Sequence, residues 1–574
     1  MFDGLSYIQR TIVSDKNGLF AVKACPGSGK TYTTAARLAY KLSNWQLSNR
    51  GIAALSFTNV AWQEIWKMLV QNLGMTINYP HYLGTLDSFI NKFIFLPFGH
   101  LVMGCGKRPI LVGEPHGTWS GGNYDRDYDQ YFDSTSFSIS GDVIPTIADL
   151  TMFHFSWKRN KDSSENGHVK RIRQTKEKFW RQGYANQADA NYFSLMILEK
   201  YPNIARSIAM RFPEVIIDEA QDTSEIQMRI LDKLIENGLE DVMLVGDPDQ
   251  AIYEWNNARP DLFTDKFNIW EENSVILDEN RRSSQNICNV TYKLTSRTSP
   301  SIAVTEVVKD FEHIPEILCY EKESINQTLD YFIRLCDKHQ VEVNQDNVAV
   351  IFRSKSIQNQ ILTHPERIEY PWQVGKYFVR DLAKGKYMSE NGDVFEAFRL
   401  IERALYKGIF NKNYCSSNDL DSWISGKGFI RHRKEILHIL RCLPSPTGSI
   451  KEWVNQASDI LRINNITIRM NLKPDCTDYN FDEIFKISAE NNYGFRMGTV
   501  HTVKGETFDA VLLILKEKGA QGAFYRTMLS NCLNTLDDEE LRIAYVGMTR
   551  PRKLLVIAVP SEQSRLVWEQ RLQK

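Results

Sequence analysis

Leu19-Phe-Ala-Val-Lys-Ala-Cys-Pro-Gly-Ser-Gly-Lys-Thr-Tyr-Thr-Thr34 decides the fold of this chain. A short apolar run stops at a glycine-rich turn, and TTAARLAYKLSNW (residues 33–45) then shows helical spacing. GIAALSF (residues 51–57) supplies a second apolar strand. Strand, glycine loop, helix, strand is how a parallel α/β sheet opens. Within the stretch, Ala24, Cys25, Pro26, Gly27, Ser28, Gly29, Lys30 and Thr31 fit a phosphate-binding loop, with Ala24 where the pattern has its first glycine. The glycines let backbone N–H groups curl around phosphate oxygens at a helix N-terminus. Lys30 neutralises charge, and the Thr31 hydroxyl can ligate Mg2+.

Two further buried strands are expected at Val215–Ile217 and Val242–Val245, each running into acidic residues. A second set follows at Val348–Phe352, Ala510–Ile514 and Leu554–Ala558. Short apolar strands alternating with helices predict parallel sheets with ligands at the strands' carboxyl ends. The expected organisation is two α/β domains, each interrupted. Residues 1–90 and 196–279 form the first around an insertion at 91–195, and residues 280–392 and 491–574 form the second around a helical insertion at 393–490. Residues 113–141 are rich in Gly, Asp, Ser and Tyr and read as loops and short strands. His168–Arg181 follows with six Lys/Arg against one Glu, a candidate contact for a nucleic-acid backbone or a solvated helix face. A second basic stretch is Lys427–Lys434.

At 574 residues the chain exceeds a single core. No run of about 18 apolar residues is present, so no membrane helix is expected. MFDGLSYIQR has no basic-then-apolar pattern, so no secretory signal is expected. The nine cysteines are scattered without a CxxC pair, which predicts reduced thiols, a cytoplasmic setting and no zinc or iron–sulfur site. A net charge of −1 disfavours a nonspecific duplex-coating protein but leaves a local groove open.

Ile216-Ile-Asp-Glu-Ala-Gln-Asp222 ends a strand in two carboxylates. Downstream of a phosphate loop, Asp218 is placed to hold Mg2+ through water and Glu219 to orient and deprotonate an attacking water. In Leu244-Val-Gly-Asp-Pro-Asp-Gln-Ala-Ile-Tyr-Glu-Trp255 an acidic turn ends in Gln250, and Tyr253 and Trp255 follow at once. A phosphate-sensing amide thus precedes two rings able to stack on bases. Arg282 and Arg550 are candidates to stabilise charge on a transferring phosphoryl group.

With these motifs in order, the chain resembles the UvrD/Rep family of superfamily 1 helicases from Gln9 to Arg550. Leu5–Gln9 is similar to the family's adenine-reading Q motif. Leu55–Ala61, Gly84–Phe89, Asp218–Asp222, Gly246–Trp255, Leu277–Ser284, Thr499–Gly505 and Ala544–Arg550 match its further motifs. The resemblance implies two RecA-like motor domains with ATP and Mg2+ between them. It implies that Gln250 senses the γ-phosphate and that Arg282 and Arg550 are arginine fingers. It also implies that Phe57, Thr58, Asn59, Thr85, Tyr253, Trp255 and His501 touch single-stranded DNA. Three departures stand out. Tyr32 and Arg281 hold the two adenine-sandwiching positions with aromatic and arginine exchanged. Lys504-Gly-Glu-Thr-Phe508 shifts the expected ribose ligand to Glu506. The helical insertion is short and lacks the family's duplex-binding Gly-Ile-Gly signature. The implied function is an ATP-driven 3′→5′ motor on single-stranded DNA. The alternatives are a translocase that does not unwind, and a DNA-activated ATPase gating a partner nuclease in repair or anti-phage defence. No nuclease motif follows Arg550, after which 24 residues remain.

Overall fold

The computed structural model describes residues 4–111, 135–137, 150–152, 174, 176–252, 258–320, 325–353, 371–373, 377–412, 415, 417–474, 476–485, 494–516, 529 and 534–573. The first sheet comprises β1 (Leu19–Ala24), β2 (Ile52–Ser56), β3 (Tyr82–Thr85), β4 (Glu214–Asp218), β5 (Asp241–Gly246) and β6 (Val275–Leu277). Its order is β6-β1-β5-β4-β2-β3, and every pairing is parallel. Both faces are covered: Phe20, Val22, Leu38 and Ile216 pack on one side, and Ala21, Leu55, Phe193 and Leu244 on the other. That is why these strands read as unbroken apolar runs rather than alternating ones.

The second sheet comprises β7 (Glu316–Cys319), β8 (Val348–Phe352), β9 (Arg496–Thr499), β10 (Phe508–Ile514) and β11 (Pro551–Val559). Its order is β7-β11-β10-β8-β9, again wholly parallel. The two α/β domains expected from the sequence are present. Among the described residues no helix is long and apolar enough to cross a membrane.

The insertions differ from expectation at their edges. Residues 91–111 and 176–195 do not leave the first domain: Ile94, Phe95, Met103, Trp180 and Phe193 belong to the same core as Leu55 and Ile217. Their apolar side chains cover one face of the first sheet, a burial that local composition cannot reveal. In the second half, Phe378–Glu390 packs along Val394–Ile409, with Gly385 against Ile401. The helical unit therefore begins before 393. Its core joins Trp372, Leu382, Ile401, Ile436 and Trp453.

Within 113–141 only the strand Thr135–Phe137 is described, paired antiparallel with Leu150–Met152. Of the basic run, Lys170, Arg171 and Arg173 lie outside the described residues. In its described end Arg181 is exposed, but Lys176 is buried in a 2.6 Å ion pair with Asp189, beside buried Phe179 and Trp180. Lys176 is thus a core cation and not part of a nucleic-acid face.

Candidate functional site

The phosphate loop leaves β1 at Ala24 and enters α1 (Lys30–Ser43). Gly27 and Gly29 have φ of +71° and +78°, a region open to glycine at little cost. A Cβ on Gly27 would stand 2.6 Å from both Arg282 Cβ and Asn280 Oδ1. The loop is also held by hydrogen bonds. Arg281 N–H donates to Gly27 O (2.8 Å) and Cys25 N–H donates to Leu277 O (2.9 Å). Gln9 braces it from behind: its Nε2 donates to Ser28 O (3.2 Å) and Thr33 Oγ1 (3.0 Å), while its Oε1 accepts from Ser6 N–H (3.1 Å). Burial pushes the Cys25 thiol up to about 12, so this cysteine is an inert packing group.

In front of the loop lies a cleft of about 530 Å³ whose walls include Lys30, Thr31, Glu219, Gln250, Arg282 and Arg550. The sequence scattered these residues over five motifs, and the fold gathers them. Asp218, fully buried at the end of β4, accepts from the Glu219 N–H (3.1 Å) and lies within hydrogen-bond reach of the Thr31 hydroxyl. Its other oxygen, Oδ2, has no partner. Burial, and then the negative charge of Glu219, raise Asp218 above the ordinary carboxylate range. A buried carboxylate oxygen without a donor, next to a threonine hydroxyl, fits a divalent cation. Among the described residues no group of three His, Cys, Asp or Glu could cage a metal alone. That suits Mg2+, which takes one or two protein oxygens and completes its shell with phosphates and water.

Glu219 adopts a left-handed backbone, φ 54°. Its carboxylate accepts from Gln221 Nε2 (2.6 Å) and lies 3.7 Å from Lys30 Nζ. Burial alone would raise this carboxyl, but Lys30, Lys504 and the Gln221 amide hold it well below the usual range. Glu219 therefore stays ionised, as a water-orienting base requires.

Gln250 bridges the two halves. Its Nε2 donates to Asp247 Oδ2 (2.5 Å), which turns Oε1 to accept from Arg550 Nη2 (3.1 Å). Arg282 donates from Nη1 to Thr549 O (3.1 Å). Burial lowers Arg550 to about 10 and Arg282 well below its usual value, with Arg550 nearby adding to the latter. Two residues past Gln250, Ile252 is fully buried in the core of the second domain with Val500 and Val503.

Tyr32 lines the cleft and packs on Leu5, Val13 and Ala36. Arg281 pairs with Glu279 (3.0 Å), its Cδ 3.8 Å from a Cβ built on Gly29. Both thus flank the loop. Glu506 does not join the cleft wall. It forks with Arg496 at 3.2 Å, while its neighbours Lys504 and Gly505 line the cleft.

The described residues assigned to DNA in the first domain stand at the carboxyl ends of β2 and β3, the edge at which the phosphate loop leaves β1. Half-buried Phe57 follows β2. The Thr58 hydroxyl caps α2 (Asn59–Lys67) by accepting from Ala61 N–H (3.2 Å), and Asn59 Oδ1 accepts from Trp62 Nε1 (3.1 Å). Thr85 caps the helix Leu86–Ile90 by accepting from Ser88 N–H (3.1 Å). His501 follows β9. Burial pushes its imidazole below the usual value, and its ring hydrogen-bonds the backbone of Ile252. Tyr253 and Trp255 lie outside the described residues.

Comparison with known proteins gives this arrangement a family. The UvrD/REP helicase N-terminal domain matches residues 5–109 and 126–268, and the UvrD-like helicase C-terminal domain matches residues 449–562. The chain belongs to the UvrD/REP helicase family. It is an enzyme of the ATP-dependent DNA helicase class. It is similar to DNA helicase II of Haemophilus influenzae, 22% identical across the whole chain and 86% of that relative. It also resembles an ATP-dependent helicase/nuclease component of Streptococcus pneumoniae, 30% identical over 30% of this chain but only 17% of that relative. The exonuclease/helicase protein RexA of S. pneumoniae is 37% identical over 22% of the chain and 10% of its own length.

Three polar contacts of this UvrD/REP site carry no signal in the sequence. Lys504 Nζ pairs with Asp222 Oδ2 (2.8 Å) across the two halves. Arg542, in α3 (Glu539–Met548), donates from Nε to Ala251 O (2.6 Å). Arg297 donates to Ala24 O. Nothing local marks these contacts, because the two ends of each lie 273 to 291 positions apart in the chain.

Proposed function

We propose that the chain is an ATP- and Mg2+-dependent motor that moves 3′→5′ along single-stranded DNA by opening and closing the cleft between its two domains. The observation that carries this reading is the run Gln250–Ile252. Gln250 holds Arg550 across the cleft, and two residues later Ile252 sits in the second core beside His501. A change at the phosphate end cannot leave the strand-facing end undisturbed, because packed cores shift as units.

In this reading the loop's N–H groups and Lys30 hold the triphosphate, and Tyr32 and Arg281 flank the adenine. Mg2+, when bound at Thr31 and Asp218, supplies charge neutralisation on phosphate oxygens. Glu219 orients and deprotonates the attacking water. Arg282 and Arg550 meet the charge on the transferring group, so hydrolysis requires both halves. Phe57, Tyr253, Trp255 and His501 grip bases without reading sequence, each stack contributing about 1–3 kcal/mol. A second reading is a DNA-activated ATPase that works with a partner nuclease, favoured by the likeness to the streptococcal helicase/nuclease component.

ATPase assays with and without single-stranded DNA test the motor. Lys30→Ala abolishes turnover. Tyr253→Ala with Trp255→Ala lowers DNA-stimulated turnover far more than basal turnover. Full DNA stimulation in that double variant would overturn the coupling.

A further inference from the structure

Arg297 lies in none of the motifs assigned above, yet its side chain is only 10% exposed and reaches the base of the phosphate loop. It comes from the second half, three residues beyond Leu294, which packs in that half's core. Its Nη2 donates to Ala24 O, the last residue of β1. The same guanidinium stands 3.8 Å from Asp247 Oδ1 and 3.8 Å from Asp249 Oδ2. Both carboxylates are fully buried. Asp249 also accepts from Ser296 N–H (3.2 Å) and the Thr535 hydroxyl. Asp247 in turn accepts from Gln250, whose Oε1 faces Arg550.

We infer that Arg297 is a positioning residue for the phosphate sensor: it clamps Ala24, Asp247 and Asp249 together and so sets which way the Gln250 amide points. The route is continuous, from the Ala24 carbonyl through Arg297 and Asp247 to Gln250 and Arg550. Two buried carboxylates beside a sensing amide need a cation, and a planar guanidinium can serve both acids and a carbonyl at once where an ammonium cannot. With the clamp in place, Asp247 Oδ2 is fixed to take the Gln250 N–H, leaving Oε1 for the arginine. Without it, the Asp247 carboxylate keeps the Asp249 N–H on Oδ1 (3.2 Å) but loses its ionic partner, and the Gln250 amide is held less firmly. Arg297 touches neither the open cleft nor a phosphate position, so its effect falls on turnover and not on nucleotide binding.

This inference rests on Gln250 being the γ-phosphate sensor, and the test separates the two. Steady-state ATPase is measured on the full chain for R297M, R297K, Q250A and R297M/Q250A, with affinity for a nonhydrolysable ATP analogue as the fold control. Expected for R297M is a kcat loss of about tenfold or more with the ATP KM changed less than about threefold. R297K recovers part of kcat. R297M/Q250A is no slower than Q250A, because both lie on one route. Full turnover in Q250A defeats the sensor reading itself. A slow Q250A beside a fully active R297M defeats the Arg297 inference alone, as do multiplicative losses in the double variant. If R297M does not fold, R297K decides. Lower kcat at unchanged KM supports the clamp; unchanged kcat, or kcat and analogue affinity falling together, overturns it.

Discussion

Lys504→Met removes one side of the buried pair that joins the two motor domains. Lys504 follows β9 in the second domain, and Asp222 follows β4 in the first; their side chains are 13% and 1% exposed and 2.8 Å apart. Burial holds the Asp222 carboxyl up at about 6 even with Lys504 beside it. Its remaining donor is Gln221 Nε2 at 3.2 Å, and Oδ1 has none. Stripping one partner from a buried ion pair costs about 3–5 kcal/mol. Because Lys504 borders an open cleft, the lower end applies, about 3 kcal/mol, or roughly 100-fold in the population of closed clefts. If hydrolysis needs the closed cleft, kcat falls by about that factor. Asp222→Asn costs less, since Lys504 still has Glu219 nearby. The double variant strands no charge and recovers to about a tenfold loss.

The sign of the pH dependence follows from the raised carboxyl. A folded-state value above the ordinary one favours the protonated form, so the cost of an unpaired Asp222 is absent at low pH and grows as pH rises through about 6. The Lys504→Met deficit should therefore be smaller near about pH 5.5 than near about pH 8.5. A double-mutant cycle on ATP turnover across that range is the assay. Losses that simply multiply, or a deficit that ignores pH, would refute the latch.

Two further outcomes follow. Lys176→Met strands Asp189 in the first core and lowers the melting temperature, at a cost of about 3–5 kcal/mol, while leaving the salt dependence of DNA affinity unchanged. A shallower salt slope would return Lys176 to a DNA face. Asp218, raised by burial and by Glu219, favours its protonated form, so stability falls as pH rises from the ordinary 3.8 toward its raised value. Mg2+ with an ATP analogue should restore that loss, so the melting-temperature gain over analogue with chelator grows with pH and vanishes in Asp218→Asn. A gain that does not vary with pH would remove Asp218 from the metal site.

Much of this site was legible in the sequence because its parts are local. A phosphate loop, a strand ending in Asp218-Glu219 and an acidic turn ending in Gln250 each carry their chemistry within a few residues. The strands were legible because sheets covered on both faces leave unbroken apolar runs. Long-range pairings were not. Arg297, Arg542 and Lys504 meet partners 273, 291 and 282 positions away, and nothing in their own neighbourhoods tells which partner each will meet. Basic composition misled at Lys176, whose partner Asp189 stands in the first turn of the helix that follows. The insertion edges misled too, because Phe95 and Trp180 carry the same apolar signal whether they cover the first sheet or a core of their own. Glu506, one position after Gly505, pairs with Arg496, a contact its local sequence does not announce.

The motor reading meets its most direct test in streptavidin displacement from single strands biotinylated at one end. Expected is rapid ATP-dependent displacement from the 5′ end, slow displacement from the 3′ end, and none with Lys30→Ala. Displacement from the 3′ end in preference, or no ATP-dependent displacement from either end, would contradict a 3′→5′ single-strand motor.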